Sequence, residues 1–387
     1  MGRGSAVREI DNLKLWEIMG YMKVTTRYKV TTYVMIVFFL GLSLICWFKK
    51  ADDFSNSERR ALAKLPELSA ESIRSGEFMT EFETYTLDQF PFRDSFRTLK
   101  AVSTFYVFGQ KDNNDVYIAD GFASKLEYPM KEEGMDRASA RFTYVYDKYM
   151  ADTDVKVYFS IIPDKNYFLA EENGYLSMDY PDFFKKMQEK TGFAEYIDIV
   201  DLLKIEDYYR TDTHWRQENL VPVAQEIGAQ MGTELVGEYE VKVLDNPFYG
   251  VYYGQSALPL AAEEMQYLTN EVLEDCEVYD FENGKNISVY DMEKAYGKDP
   301  YEMFLSGSLS LLTIENPKAA TDKELIMFRD SFGSSIAPLF AEGYAKITLV
   351  DIRYIHPDML GRYVEFTNQD VLFLYSTLVL NNGETIK

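Results

Sequence analysis

Residues 324–352 read ELIMFRDSFGSSIAPLFAEGYAKITLVDI, and this stretch decides the fold. Glu324 to Phe328 is a short apolar run suited to a buried strand, Ile336 to Glu342 reads as a helix, and Ile347 to Ile352 is a second, β-branched run. Ser331 and Gly333 stand at the first junction. Working outward, Val155 to Ile162 (VKVYFSII) is another buried strand that stops at Pro163-Asp164-Lys165. Residues 182–191 resemble a helix, Tyr196 to Val200 a strand, Gln217 to Met231 a helix, and Val371 to Leu374 a closing strand. Strands alternating with helices predict an α/β domain with a largely parallel sheet flanked by helices, whose ligands sit beyond the carboxyl ends of the strands. Between about 235 and 300 the chain is rich in Glu, Tyr, Asn and Gly without a clean period, and reads as an insertion with short strands.

Composition narrows the function classes. The 387 residues carry 40 Lys+Arg against 63 Asp+Glu, a formal charge of −23, and are 47% hydrophobic. That is globular composition, and so acidic a surface offers no counterion release from phosphates, so nucleic acid is excluded as a partner. Cys46 and Cys276 cannot build a disulfide framework, and no CxxC is present. His214 and His356 are too few for a His-built metal centre, and no metal or organic cofactor is expected. If imidazole serves as a general base, one of these two carries it.

The first 50 residues differ from the rest, with eight Lys+Arg and three Asp+Glu. Within them Tyr33 to Phe48 (YVMIVFFLGLSLICWF) is uncharged and apolar, and flanking residues extend it to a 31–50 anchor after an N-terminal segment, 1–30. A cleaved signal peptide competes, but the run begins far into the chain and no Ala-x-Ala site follows; a buried core helix would need an amphipathic partner that is absent downstream. Lys14, Lys23, Arg27 and Lys29 before the span and Lys49, Lys50, Arg59, Arg60 and Lys64 after it leave the orientation undecided by charge. Residues 51–110 read as a stalk and helical lead-in: Asp52 to Glu67 is polar, and Ser69 to Tyr106 is mostly helical, interrupted near Pro91, with Thr80 and Glu83 in capping-box spacing. Residues 111–387 form the α/β domain.

The sharpest chemical feature is Asp212-Thr213-His214-Trp215, in a loop before a helix. In an extended loop, side chains two apart project the same way, so Asp212 accepts from one imidazole nitrogen and leaves the other free. That is the base half of a triad. Its nucleophile would be a hydroxyl on a tight strand-to-helix turn, and Arg329-Asp330-Ser331-Phe332-Gly333 supplies one, with backbone N–H groups beyond Ser331, including that of Phe332, to hold an oxyanion. A lone DxH is usually a solvated turn. Arg-Asp-Ser-Phe recurs at 93–96, where Ser95 follows no strand and reads as a helix cap. His356, before Pro357, reads as a loop residue. Lys165 is either an exposed turn lysine or a positive group at the mouth of the site, and Trp215 either packs under the loop or stacks on a sugar ring; both are carried as candidate substrate contacts.

Seven segments carry a resemblance: SNSERRALAKLPELS (55–69), GEFMTEFETYTLDQFPFRDSF (76–96), VYFSIIPDKNYF (157–168), YYRTDTHW (208–215), FRDSFGSSIAPLF (328–340), ITLVDIRY (347–354) and VLFLYSTLVLN (371–381). Through them the chain resembles the DHHW protein family of Gram-positive bacteria and, more distantly, the SGNH-hydrolase-like domains of the periplasmic alginate O-acetyltransferases. Thr213 replaces the family's first histidine while the spacing of Asp212 and His214 is kept. The order Asp, His, then Ser matches the resembling acetyltransferases. The resemblance implies an SGNH-like fold and a membrane-tethered, outward-facing enzyme that modifies a cell-surface polysaccharide, with a multispanning membrane acyltransferase as acetyl donor. A further oxyanion donor is placed at Gly307, in Phe304-Leu305-Ser306-Gly307. The competing expectation is a catalytically silent surface protein that binds glycan or assembles envelope machinery on the same fold.

Overall fold

The computed structural model describes residues 4–387, with side chains from Thr25 onward, so the charges of Lys14 and Lys23 lie outside the described residues. The chain divides into two compact units, one comprising residues up to Ser55 together with Arg60–Phe96, the other Asn56–Arg59 with Arg97–Lys387.

In the first unit, α1 runs from Gly4 to Phe48. Its Thr25–Phe48 portion is 24 residues of mean hydropathy 2.1, and none of its most apolar window is buried. At 1.5 Å per residue this spans about 36 Å, enough to cross a bilayer. The lack of burial removes the core-helix alternative. Helices follow at Ala70–Ser75 and Glu77–Asp88, joined at Gly76, whose φ of +83° suits the left-handed linker between them. The capping box forms at Ser69 and Ser72. Thr80, expected to cap, lies inside the second helix with its hydroxyl on the Gly76 carbonyl, because Gly76 already ends the preceding turn. The chain breaks at Pro91 and resumes as a helix at Arg93–Val102, with Ser95 in its first turn rather than at the cap.

The second unit is built on an eight-stranded mixed sheet. In chain order its strands are β1 Lys156–Ile162, β2 Glu195–Tyr196, β3 Glu277–Asp280, β4 Lys285–Ile287, β5 Leu311–Glu315, β6 Glu324–Arg329, β7 Lys346–Val350 and β8 Asp370–Ser376. Their spatial order is β4-β3-β5-β7-β6-β8-β1-β2. The run from β7 to β2 is parallel, while β5, β3 and β4 extend it antiparallel. Thus part of the stretch read as an insertion belongs to the central sheet. Residues 311–315 also form a strand that was not anticipated, too short to show a period.

Side-chain alternation splits the core in two. Leu325, Met327, Ile347, Leu349, Leu372 and Leu374 face one layer with Val223, Ala224 and Ile227 of the helix Val221–Gln230 and with Ile336 to Ala341. Ile326, Phe328, Val350, Val371 and Phe373 face the other, with the helices Glu132–Tyr149 and Tyr180–Lys190. Burial on both faces explains why these strands read as continuous apolar runs, each buried Leu, Ile or Phe contributing about 1.5–3 kcal/mol. The link from β6 to β7 packs on the first face, while Leu360 and Val364, between β7 and β8, pack on the second. The sheet's connections therefore diverge at β6, and the crevice beyond its carboxyl end is where such a fold places a ligand.

Candidate active site

Ser331 lies just beyond that end. Asp330, fully buried, fixes the turn: one carboxylate oxygen accepts the Phe332 N–H (3.0 Å), the other the Ser376 N–H (2.8 Å) and hydroxyl (2.6 Å) at the end of β8. Gly333 is required by close approach, since a Cβ there would stand 2.5 Å from that of Arg329. Ser331 itself stays partly exposed.

Asp212 and His214 come from a loop closed by the Tyr208–Trp215 bridge. Glu263 gathers the N–H groups of Arg210 and Thr211 (2.6 and 2.7 Å) and the Thr211 hydroxyl (2.7 Å). Asp212 Oδ1 accepts the His214 N–H at 3.1 Å and lies 2.6 Å from His214 Nδ1; Oδ2 accepts the Val251 N–H at 2.7 Å. His214 Nε2 lies 2.8 Å from Ser331 Oγ. Two segments 117 positions apart thus meet in one hydrogen-bonded chain, Asp212–His214–Ser331. Burial alone would raise the Asp212 pKa, but the charge and hydrogen bond of His214, the Arg59 cation and the Val251 N–H outweigh it and hold the carboxyl well below its usual range.

The imidazole also rests on Tyr301, whose ring lies 3.8 Å away and 7° from parallel. The buried Tyr301 hydroxyl donates to Ser335 Oγ (2.9 Å). Tyr301 went unnoticed in the sequence, among thirty tyrosines without a distinguishing motif. So did Gly250, where a Cβ would come within 2.3 Å of the Asp212 backbone.

Four expected contacts are corrected. Trp215 is fully buried, its indole N–H shared by Ser335 Oγ (2.9 Å) and the Phe332 carbonyl (3.1 Å), so it packs under the loop and presents no face to a sugar. Lys165 is also buried: its ammonium donates to the carbonyls of Tyr209 (2.9 Å) and Arg210 (3.3 Å), behind the Asp212 loop rather than at a mouth. Burial pushes it down to about 7, against the pull of Asp212, Glu263 and Asp164. The Phe332 N–H is spent on Asp330, and that of Gly307 on the Phe304 carbonyl (3.1 Å), so neither is free for an oxyanion. Gly307 instead completes a left-handed run with Leu305 and Ser306, at φ +53°, +56° and +83°. The N–H of Ser331 has no protein partner among the described residues. Thr213, at the variant position, receives a hydrogen bond from the Tyr252 hydroxyl (3.2 Å). His356 is an exposed loop residue capping the turn Pro357–Arg362.

No family model matches the chain, and no curated protein does. Among solved structures, a DHHW family protein from Eubacterium siraeum aligns with a TM-score of 0.58 at 21% identity, over 71% of this chain and 95% of that one. Bacillus cereus PatB1 aligns with a TM-score of 0.57 at 18% identity, over 70% of this chain and 98% of that one, and a structure of PatB1 with a sulfonyl adduct with 0.52. The O-acetyltransferase domain of Pseudomonas putida AlgJ aligns with a TM-score of 0.42 at 11% identity, over 69% of this chain and 92% of that one. The chain shares the fold of the DHHW protein and of PatB1.

Proposed function

We propose that this chain is a membrane-anchored, outward-facing O-acetyltransferase that acts on a cell-surface polysaccharide through an acetyl-serine intermediate. The observation that carries the reading is the unbroken contact from Asp212 Oδ1 through His214 to Ser331 Oγ, at 2.6 and 2.8 Å, on a serine that stays partly exposed. Ser331 Oγ attacks the acetyl carbonyl while its proton passes to His214 Nε2. Asp212 fixes the tautomer with Nδ1 protonated and stabilises the imidazolium. The Ser331 N–H is the donor closest in the chain to the developing oxyanion. The tetrahedral adduct collapses as His214 returns the proton to the leaving group. A sugar hydroxyl then attacks the acetyl-serine, His214 taking its proton and handing it back to Ser331 Oγ. The apolar Thr25–Phe48 helix supports the anchor, and the acetyl donor would be a multispanning membrane acyltransferase.

The test uses the full chain in detergent micelles. An arylsulfonyl fluoride, suggested by the sulfonyl adduct of PatB1, should label wild type at one site with loss of fluoride, and fail to label Ser331→Ala. His214→Ala should slow labelling by about 10³-fold or more. A folded wild type that resists the probe would overturn the enzyme and favour the glycan-binding alternative. Surface O-acetyl content in cells expressing wild type or Ser331→Ala then separates transfer to sugar from simple hydrolysis.

A further inference from the structure

One charged group beside the triad has no part in the mechanism above. Arg59, only 12% exposed, places Nη1 2.7 Å from Asp299 Oδ1 and 3.7 Å from Asp212 Oδ2, while Nη2 donates to the Tyr249 carbonyl. Its backbone is left-handed, at φ +53°, a strained conformation for a non-glycine residue that persists only where its surroundings impose it. Here they do. The segment Asn56–Arg59 belongs to the same compact unit as the sheet. Ser57 presses so closely on Gly254 that a Cβ there would fall 1.6 Å from the Ser57 carbonyl oxygen. Arg97 clamps the segment from the other side, donating to the Gly254 carbonyl (2.6 Å) and pairing with Glu58 (3.5 Å).

We propose that Arg59 is a positioning residue of the triad: its guanidinium, held between Asp212 and Asp299, keeps Asp212 turned toward His214 and balances the charge against which His214 gains and loses its proton. This rests on the triad reading above. The groups in play are His214 on the same loop, Asp299 and Glu302 from the turn that carries Tyr301, Lys165 behind the loop, and Glu263 beneath it. With Arg59 in place, Asp212 and Asp299 share one cation. Without it, the buried Asp212 and the partly exposed Asp299 face His214 with no compensating cation, which favours the charged imidazole and moves the acid limb of activity to higher pH.

The experiment compares pH profiles of kcat/KM for p-nitrophenyl acetate, and of sulfonyl labelling, in the full chain. Arg59→Met should move the acid limb up by about one pH unit and lower kcat/KM at pH 7 about tenfold. Arg59→Lys, which keeps the charge, should restore most of the limb. The double variant Arg59→Met/Asp299→Asn removes the stranded carboxylate and should return the limb close to wild type even if Arg59→Met alone folds poorly. An active wild type beside variants whose acid limb does not move would overturn this inference and leave the triad standing. A wild type that neither labels nor turns over removes the triad reading itself.

Discussion

Replacing Lys165 by Met tests whether the buried ammonium behind the Asp212 loop is a cost to the fold. Its ordinary value of 10.5 is pushed down to about 7 by burial. Moving from 10.5 to about 7 at 1.36 kcal/mol per pH unit corresponds to about 5 kcal/mol. The sign follows from linkage. Below about pH 7 the lysine is protonated in both folded and unfolded chains, and the folded state bears the whole penalty. Between about 7 and 10.5 the unfolded chain holds a proton that the folded one has released, so stability rises with pH by about 1.4 kcal/mol per unit. Above 10.5 the penalty is gone. Met removes this dependence, but it strands the Tyr209 carbonyl, the Arg210 carbonyl keeping the Ala123 N–H, and loses the attraction of Asp212, Glu263 and Asp164. Those losses offset part of the gain. The slope difference is the cleaner observable, because it does not depend on the offset. Urea unfolding of the full chain in micelles, followed by the fluorescence of the buried Trp215, should give wild-type stabilities that climb relative to Lys165→Met from pH 7 to 10. Parallel curves over that window would refute the reasoning.

Two further changes probe the support of the triad. Gly250→Ala should cost about 1–3 kcal/mol and slow sulfonyl labelling of Ser331 by about 10²-fold, because the new Cβ meets Asp212 backbone that cannot rotate away; unchanged labelling would show that the loop has slack. Ser335→Ala should cost about 1–3 kcal/mol in thermal unfolding by stranding the Tyr301 hydroxyl, and adding Tyr301→Phe should recover most of it. A double variant no more stable than the single one would count against that account.

Local chemistry made much of the molecule legible. The apolar runs at 156–162, 324–329, 346–350 and 370–376 became strands because both their faces are covered, and the helices at 180–190 and 221–230 followed from patterning close to where they were expected. Asp212, His214 and Ser331 could be nominated because a carboxylate two residues from a scarce histidine, and a serine on a strand-to-helix turn, are rare local arrangements. The misassigned residues share a cause. Lys165, Trp215, Phe332 and Gly307 were judged by residue type, whereas their roles depend on where their polar atoms end, and those partners lie in other segments. Arg59, Gly250, Glu263 and Tyr301 carried no motif that marked them, since each acts through a neighbour between 38 and 240 positions away, as Arg59 does on Asp299. Sequence by itself determined the buried parallel strands and the long apolar helix, and nominated Asp212, His214 and Ser331, because periodicity and residue chemistry are local properties. Tertiary structure alone decided which groups are buried, which donors remain free and which charges face one another, because desolvation and Coulomb energy depend on distances that only the closed fold creates.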